Sequence, residues 1–391
     1  MINSESYVFT MRLQKKSKCD TKMVLRYDLV CLISCCSRVS TLLLRVRTVL
    51  VMAPAFDRWH TRPMIKDSLY PPIAPQNALW LPACDGHRVH YQQCGNPDGV
   101  PVLLVHGGPG SRITPFLLRL LDPQRFRMIG FDQRGCGQST PNGRLPGNDT
   151  DALIADIERL RKQLGIARWL VLGGSWGAAL GIAWAGRHPD ACLGAILRAP
   201  FLTGDADLRW FFDDAGALAP EAWAPLAALA ADAGAASVWP WLGEAMLAAR
   251  NVTDAWPLIS AWTTWEQTLS GAPLRRLTAA SSSDPQARRT AFARYRVQAH
   301  YLLHNGFLGE DAVLAYAEAM AALPVTLLHG TADLVCRPIN SWRLQQRFQN
   351  SRLEWVDGAG HDLTAPEMVR AMRNAGERFL GNQQVGNAFP D

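Results

Sequence analysis

The sequence predicts an α/β protein with a mostly parallel central sheet and a helical cap inserted between two of its strands. Two observations carry this prediction. Six short aliphatic runs are continuously apolar rather than alternating, which is the pattern of strands covered on both faces. The runs stop between residues 202 and 320, where Ala and Trp abound, and then resume. At 391 residues, 48% hydrophobic and 19% charged, the chain can build a large core.

The elements follow in order. Residues 1–63 form a leader that reads as a disordered or non-native extension, with the working chain starting near Met52 or Met64. Its basic stretch "KMVLRYDLVCLISCCSRVSTLLLRVRTVLVM" has an apolar centre of signal-peptide length, but no A-x-A-like cleavage site follows closely. The first core segment, 64–201, opens with "ALWLPACDGHRVHYQQCGN", whose alternation and "DG" turn predict an antiparallel hairpin. Strands are expected in "PVLLVHGG" (101–108), "FRMIGFDQRG" (126–135), "RWLVLGGS" (168–175) and "LGAILRAPF" (193–201). Between them, "DTDALIADIERLRKQLGI" spaces Leu153, Ile157, Leu160 and Leu164 as one helix face behind an acidic first turn. The cap, 202–320, is broken by Pro220, Pro225, Pro240, Pro257 and Pro273. The second core segment, 321–391, returns to strands at "PVTLLHG" (324–330) and "RLEWVDG" (352–358). A cap so placed lies over the carboxyl ends of the strands, where open α/β sheets bind their ligands.

Charge and cysteine usage exclude several functions. The first 51 residues hold nine Lys/Arg against three Asp/Glu, so the rest of the chain carries 31 of each (40 less nine, 34 less three). A near-neutral body argues against nucleic acid as a partner. No run reaches the roughly 18 apolar residues of a membrane span, so no membrane partner is expected. Cys84, Cys94, Cys136, Cys192 and Cys336 are scattered without metal-ligand spacing, which points to reduced thiols in a cytoplasmic protein.

The chemistry is expected at "GGSWG", where Ser175 stands between the end of a strand and the start of a helix. This strand–serine–helix turn holds a nucleophile in a strained conformation, and its neighbours must lack side chains. A serine hydroxyl needs a base and a carboxylate that orients the base. In this chain order Asp333 follows the strand "PVTLLHG" and His361 lies in the loop after the last strand. Asp357 and Asp362 are the competing carboxylates, each close to the histidine in sequence. Oxyanion donors are expected from the N–H of Trp176 and from "HGGPG" at Gly108. His106 reads as structural, and Asp132 as a brace of that loop acting through Arg134.

With "HGGPG", "DQRGCGQS", "GGSWG", "WTTWE", "HYLLHNGFL" and "GAGH" in hand, the chain resembles the proline iminopeptidase family of α/β-hydrolases over about residues 70–380. The resemblance implies an α/β-hydrolase fold and a cytoplasmic serine peptidase, monomeric or homo-oligomeric, without metal or cofactor. Its substrate would be a small peptide with an N-terminal proline. Ser175, Asp333 and His361 take the triad roles by motif. Reading a free amino end requires a carboxylate, for which "WTTWE" offers Glu266, with Trp262 and Trp265 as walls of a proline pocket. A solvated helix face is the competing reading of Glu266. The family pattern "IENHY" appears here as "VQAHY", so Gln298 replaces a glutamate, a loss of about 1–3 kcal/mol in amine recognition. Ser111 and Arg112 after "HGGPG" also differ from the commoner glycine-rich continuation. Two rival functions follow: an esterase or amidase on small acyl substrates, and a catalytically silent scaffold that only binds a ligand.

Overall fold

The computed structural model describes residues 69–75, 77–82, 84–271 and 283–385. The leader, 1–63, lies outside the described residues, as does Pro273. Eight strands form one sheet: β1 (Asn77–Trp80), β2 (His90–Gly95), β3 (Val100–Val105), β4 (Phe126–Phe131), β5 (Trp169–Gly174), β6 (Cys192–Arg198), β7 (Val325–Gly330) and β8 (Ser351–Val356). Their spatial order is β1-β2-β4-β3-β5-β6-β7-β8. The six strands from β4 to β8 are mutually parallel, and β1 and β2 pair antiparallel. At the expected "DG" turn, Asp85 and Gly86 have φ of 52° and 76°, the left-handed pair that a tight hairpin turn demands.

Continuous apolar strands serve two cores. Val102 and Leu104 of β3 enter one hydrophobic cluster, and Leu103 and Val105 enter the other. Because strand side chains alternate, the two clusters lie on opposite faces of the sheet. Four helices cover one face: α1 (Thr150–Gln163), α2 (Trp176–Arg187), and, after the cap, the two later helices described below. Asp149 caps α1 by accepting the Ala152 N–H at 2.8 Å, and Leu153, Ile157 and Leu160 are buried as the spacing predicts.

The cap consists of α3 (Asp205–Phe212), α4 (Pro220–Asp232), α5 (Trp241–Ala248), α6 (Val252–Ser270) and α7 (Pro285–Leu303) around a third cluster of their own. Pro220 opens α4, but Pro225 and Pro257 lie inside α4 and α6 without ending them. Near a helix start a proline removes a single ladder bond. The cap is shorter than the sequence predicts. Helix α8 (Gly309–Ala319), placed in the insertion by sequence, contributes Val313 and Ala317 to the sheet core. It lies so close to α2 that a Cβ on Gly186 would meet the Tyr316 carbonyl oxygen at 2.5 Å. Two amphipathic helices in succession look alike in sequence, whichever core they serve. Helix α9 (Pro338–Gln345) joins the same face through Leu344, and α10 (Pro366–Val385) covers the other with Met368, Met372 and Phe379.

Candidate active site

The sheet order reverses at β3: β4 lies on one side of it and β5 on the other. Such a switch point opens a crevice at the strand ends, and the loops after β3 and β5 meet there. Ser175 follows β5 and begins α2 with φ 57° and ψ −126°, a strained backbone for a residue with a side chain. The glycines around it are explained by contact. A Cβ on Gly173 would lie 2.4 Å from the Gly177 oxygen, and one on Gly177 would lie 2.3 Å from the Val105 oxygen. Strand and helix can approach only with both side chains absent.

Asp333 and His361 come from the loops after β7 and β8. These loops are pressed together, since a Cβ on Gly330 would meet the Ala359 oxygen at 2.2 Å and Ala332 N–H donates to that oxygen at 2.9 Å. The closure brings His361 Nδ1 to 2.8 Å from Asp333 Oδ2. Asp357 instead accepts from the Thr331 hydroxyl, and Asp362 accepts from Thr364. Asp333 is buried; burial alone would raise its pKa, but the imidazoles of His361 and His329 and the Arg198 guanidinium outweigh it and hold the carboxyl below its ordinary value. Arg198 also donates to the His361 carbonyl at 3.0 Å.

Ser175 and His361 line the same cavity of about 320 Å³, between the sheet and the cap. The hydrogen-bonding neighbour of Ser175 Oγ is Cys336 Sγ at 3.8 Å, not an imidazole nitrogen. Serine–histidine bonds often tighten only when substrate is bound, and a turn of the Ser175 side chain redirects its hydroxyl. Cys336 is a buried thiol whose pKa burial drives well up, so it stands as a neutral neighbour.

Gly107 and Gly108 line the cavity beside Ser175. Gly108 has φ 120°, where a side chain would be strained. Trp176 occupies the first position of α2, where helices leave N–H groups without an intrahelical acceptor. Gln133, which the sequence reading passed over, ties these two segments together. Its N–H and side-chain amide donate to His106 Nε2 (3.0 Å) and the His106 carbonyl (2.9 Å), and its Oε1 accepts from Trp176 Nε1 at 2.9 Å. His106 is buried and burial lowers its pKa, which agrees with a structural, neutral ring. Asp132 braces the loop directly, accepting the Ile113 and Gln138 N–H groups at 2.8 and 2.9 Å. It does not act through Arg134, which pairs with buried Asp156 at 2.6 Å.

The cap supplies the rest of the cavity. On α6, Thr263, Glu266, Gln267 and Ser270 line it at helical spacing. That phase turns Trp262 and Trp265 away, and both are fully buried in the cap cluster, where Trp262 packs on Phe212 at 5.3 Å. The expectation that these tryptophans wall a substrate pocket is therefore corrected. The aromatic walls are Phe201, Phe211, Phe212 and Tyr295. Glu266 does face the cavity rather than solvent, and its carboxylate accepts from Gln298 Nε2 at 2.5 Å and from Tyr295 Oη and Arg294 Nη2, both at 3.0 Å. Gln298 lines the cavity too, with its Oε1 buried and unpartnered. Arg294 and Tyr295 were not singled out by the sequence; their positions four and three residues before Gln298 on α7, on the same helix face, were the available signal.

The chain as a whole is similar to known proteins. A family model described as the alpha/beta hydrolase fold matches residues 100–364. The chain is 36% identical over 322 residues to a proline iminopeptidase of Xylella fastidiosa, covering 80% of this chain and 99% of that protein. It is 35% identical to a probable proline iminopeptidase of Leptolyngbya boryana, covering 81% and 98%. It is 34% identical to a proline iminopeptidase of Arabidopsis thaliana, covering 80% and 82%. Among solved structures, a putative lipase from Acinetobacter baumannii superimposes with a TM-score of 0.56 at 13% identity, covering 80% of this chain and 93% of that one. A hydrolase from Pseudomonas aeruginosa gives 0.53 at 19%, covering 78% and 99%; likenesses at this identity speak for the fold alone.

Proposed function

Since the chain belongs to the proline iminopeptidase family of α/β-hydrolases, we propose a working site for it in which Ser175, His361 and Asp333 form the catalytic triad. The protein is a serine hydrolase that releases N-terminal proline from peptides. The single observation that carries the site assignment is the 2.8 Å pair of His361 Nδ1 and Asp333 Oδ2 in the cavity that Ser175 lines.

In this reading Asp333 fixes the imidazole with its proton on Nδ1, leaving Nε2 to take the Ser175 proton. Ser175 Oγ attacks the carbonyl carbon of the N-terminal proline, and the N–H groups of Gly108 and Trp176 receive the developing oxyanion. His361 then gives the proton to the leaving amine, and water repeats the sequence to free proline from the acyl-enzyme. The proline ring lies against Phe201, Phe211 and Phe212, with its nitrogen toward Glu266 and Gln298. Among the described residues no helix is long and apolar enough to cross a membrane. The five described cysteines are free thiols, which supports a reducing, cytoplasmic location.

The test is turnover of L-prolyl-β-naphthylamide by the wild type and by Ser175→Ala, with labelling by a fluorophosphonate. Loss of about 10⁴–10⁶ in kcat together with loss of labelling is expected. Near-normal turnover by the variant overturns the assignment. A wild type that labels but cleaves only N-blocked esters favours the esterase reading, and one that does not label favours a silent scaffold.

A further inference from the structure

Glu266 has a cation beside it before any substrate arrives. Arg294 Nη2 lies 3.0 Å from Glu266 Oε2, and the same carboxylate accepts from Tyr295 and Gln298. A carboxylate offers about four lone-pair sites, so three are used by the protein itself. Beside the one site left on Glu266 stands a second acceptor, Gln298 Oε1, which is buried, unpartnered and neutral; Gln298 is only 5% exposed. The site thus holds one carboxylate already neutralised and one amide oxygen ready for an N–H.

The backbone of Arg294 is held in place, and the Nε of its side chain is buried without a partner. Its carbonyl seats on Gly110 of the loop after β3, where a Cβ would lie 2.4 Å away. The side chain is 42% exposed, and the guanidinium that meets Glu266 also lies 5.1 Å from the Tyr295 ring centre. The other charged side chains on the cavity, Arg198 and Asp207, are engaged with the His361 carbonyl and with Arg337.

We propose that Arg294 is a specificity-determining residue, an internal counter-cation that the imino nitrogen of an incoming proline must displace from Glu266. This rests on the proline iminopeptidase reading above. Its consequence is a weak demand for a charged amino end: the preferred acyl group is a compact five-membered ring whose nitrogen donates one N–H to Gln298, and a ring without nitrogen is cleaved nearly as well. A purely structural Arg294, one that merely orients Glu266 for the amine, has the opposite sign, because removing it then weakens prolyl binding.

The experiment compares kcat/KM for L-prolyl-β-naphthylamide with that for its uncharged isostere, cyclopentanecarbonyl-β-naphthylamide, in the wild type and in Arg294→Met. The wild-type preference for the prolyl substrate is expected below about tenfold. In Arg294→Met the preference rises about tenfold further, through a lower KM for the prolyl substrate rather than a higher kcat. A wild-type preference above tenfold overturns the proposal, and this arm decides alone if the variant fails to fold. A prolyl KM that is unchanged or raised in a folded Arg294→Met also overturns it. Absence of turnover of either substrate by the wild type instead sinks the parent reading.

Discussion

Asp333 turns a single carboxylate oxygen to His361: Oδ2 faces Nδ1 at 2.8 Å, while Oδ1 accepts the N–H groups of Val335 and Cys336 at 2.9 and 3.0 Å. This division fixes what Asp333→Asn does. The two backbone donors demand the amide oxygen, so the NH₂ is left facing His361. The imidazole must then accept at Nδ1 and carry its proton on Nε2, where it cannot take one from Ser175. The expected result is a loss of about 10⁴ in kcat with KM little changed and the circular dichroism spectrum intact. A loss under tenfold contradicts the assigned tautomer.

The elbow gives a prediction about stability. Gly177→Ala drives a methyl to 2.3 Å from the Val105 oxygen, in backbone that has no room to yield. It should cost about 3 kcal/mol in urea unfolding and abolish turnover, since the loop after β3 and the start of α2 carry the proposed oxyanion donors. Gly381→Ala, in α10 with nothing within 4 Å of the added carbon, is the control and should stabilise by about 0.5–1 kcal/mol.

Acid should weaken the fold well above the carboxylate range. Burial lowers the pKa of His106 and of His329, so both hold their neutral form to lower pH in the folded chain than in the unfolded one. Unfolding restores a value of about 6.5, and the unfolded chain then binds the extra protons. Stability is therefore fully present above about pH 6.5 and falls below it, by up to about 1.4 kcal/mol per pH unit for each histidine, until the folded pKa is passed. Asp132 and Asp333, whose pKa values are lowered, act in the same direction but only below about pH 4. Denaturation midpoints from pH 7.5 to 5.0 check this; a flat profile counts against neutral burial of the two rings.

What was legible in the sequence was set by local chemistry. The strands announce themselves because both faces are buried, and the elbow because two carbonyl contacts forbid side chains at Gly173 and Gly177. Asp333 was preferred over Asp357 and Asp362 because those two flank the histidine too closely in sequence to face its ring from across the site. Trp262 and Trp265 were misjudged because spacing gives a helix its faces but not which face turns to which neighbour; about 100° of rotation separates Trp265 from Glu266. Arg294 was invisible for a related reason. It meets Glu266 across two helices, 28 residues away in sequence, and only its place one turn before Gln298 marks the meeting.

Gln298 gives the last prediction, and the structure sharpens it. Its Nε2 donates to Glu266 Oε1 at 2.5 Å, so Gln298→Glu sets carboxylate against carboxylate where a hydrogen bond had been. Two carboxylates so close do not both ionise without a cation between them. Arg294 can face only part of that charge, so the empty site is strained and a protonated imino nitrogen relieves it. The variant should therefore unfold at a lower temperature than the wild type when empty, and free proline at millimolar concentration should restore most of the difference. It should also raise the ratio of prolyl-naphthylamide to N-blocked ester turnover, by about tenfold for a gain near 1.4 kcal/mol in cation binding. The rise should fade as pH climbs past the imino pKa, when the substrate loses its charge. An unchanged ratio, with no stabilisation by proline, places Gln298 outside the amine site and leaves its unpartnered oxygen to serve something else.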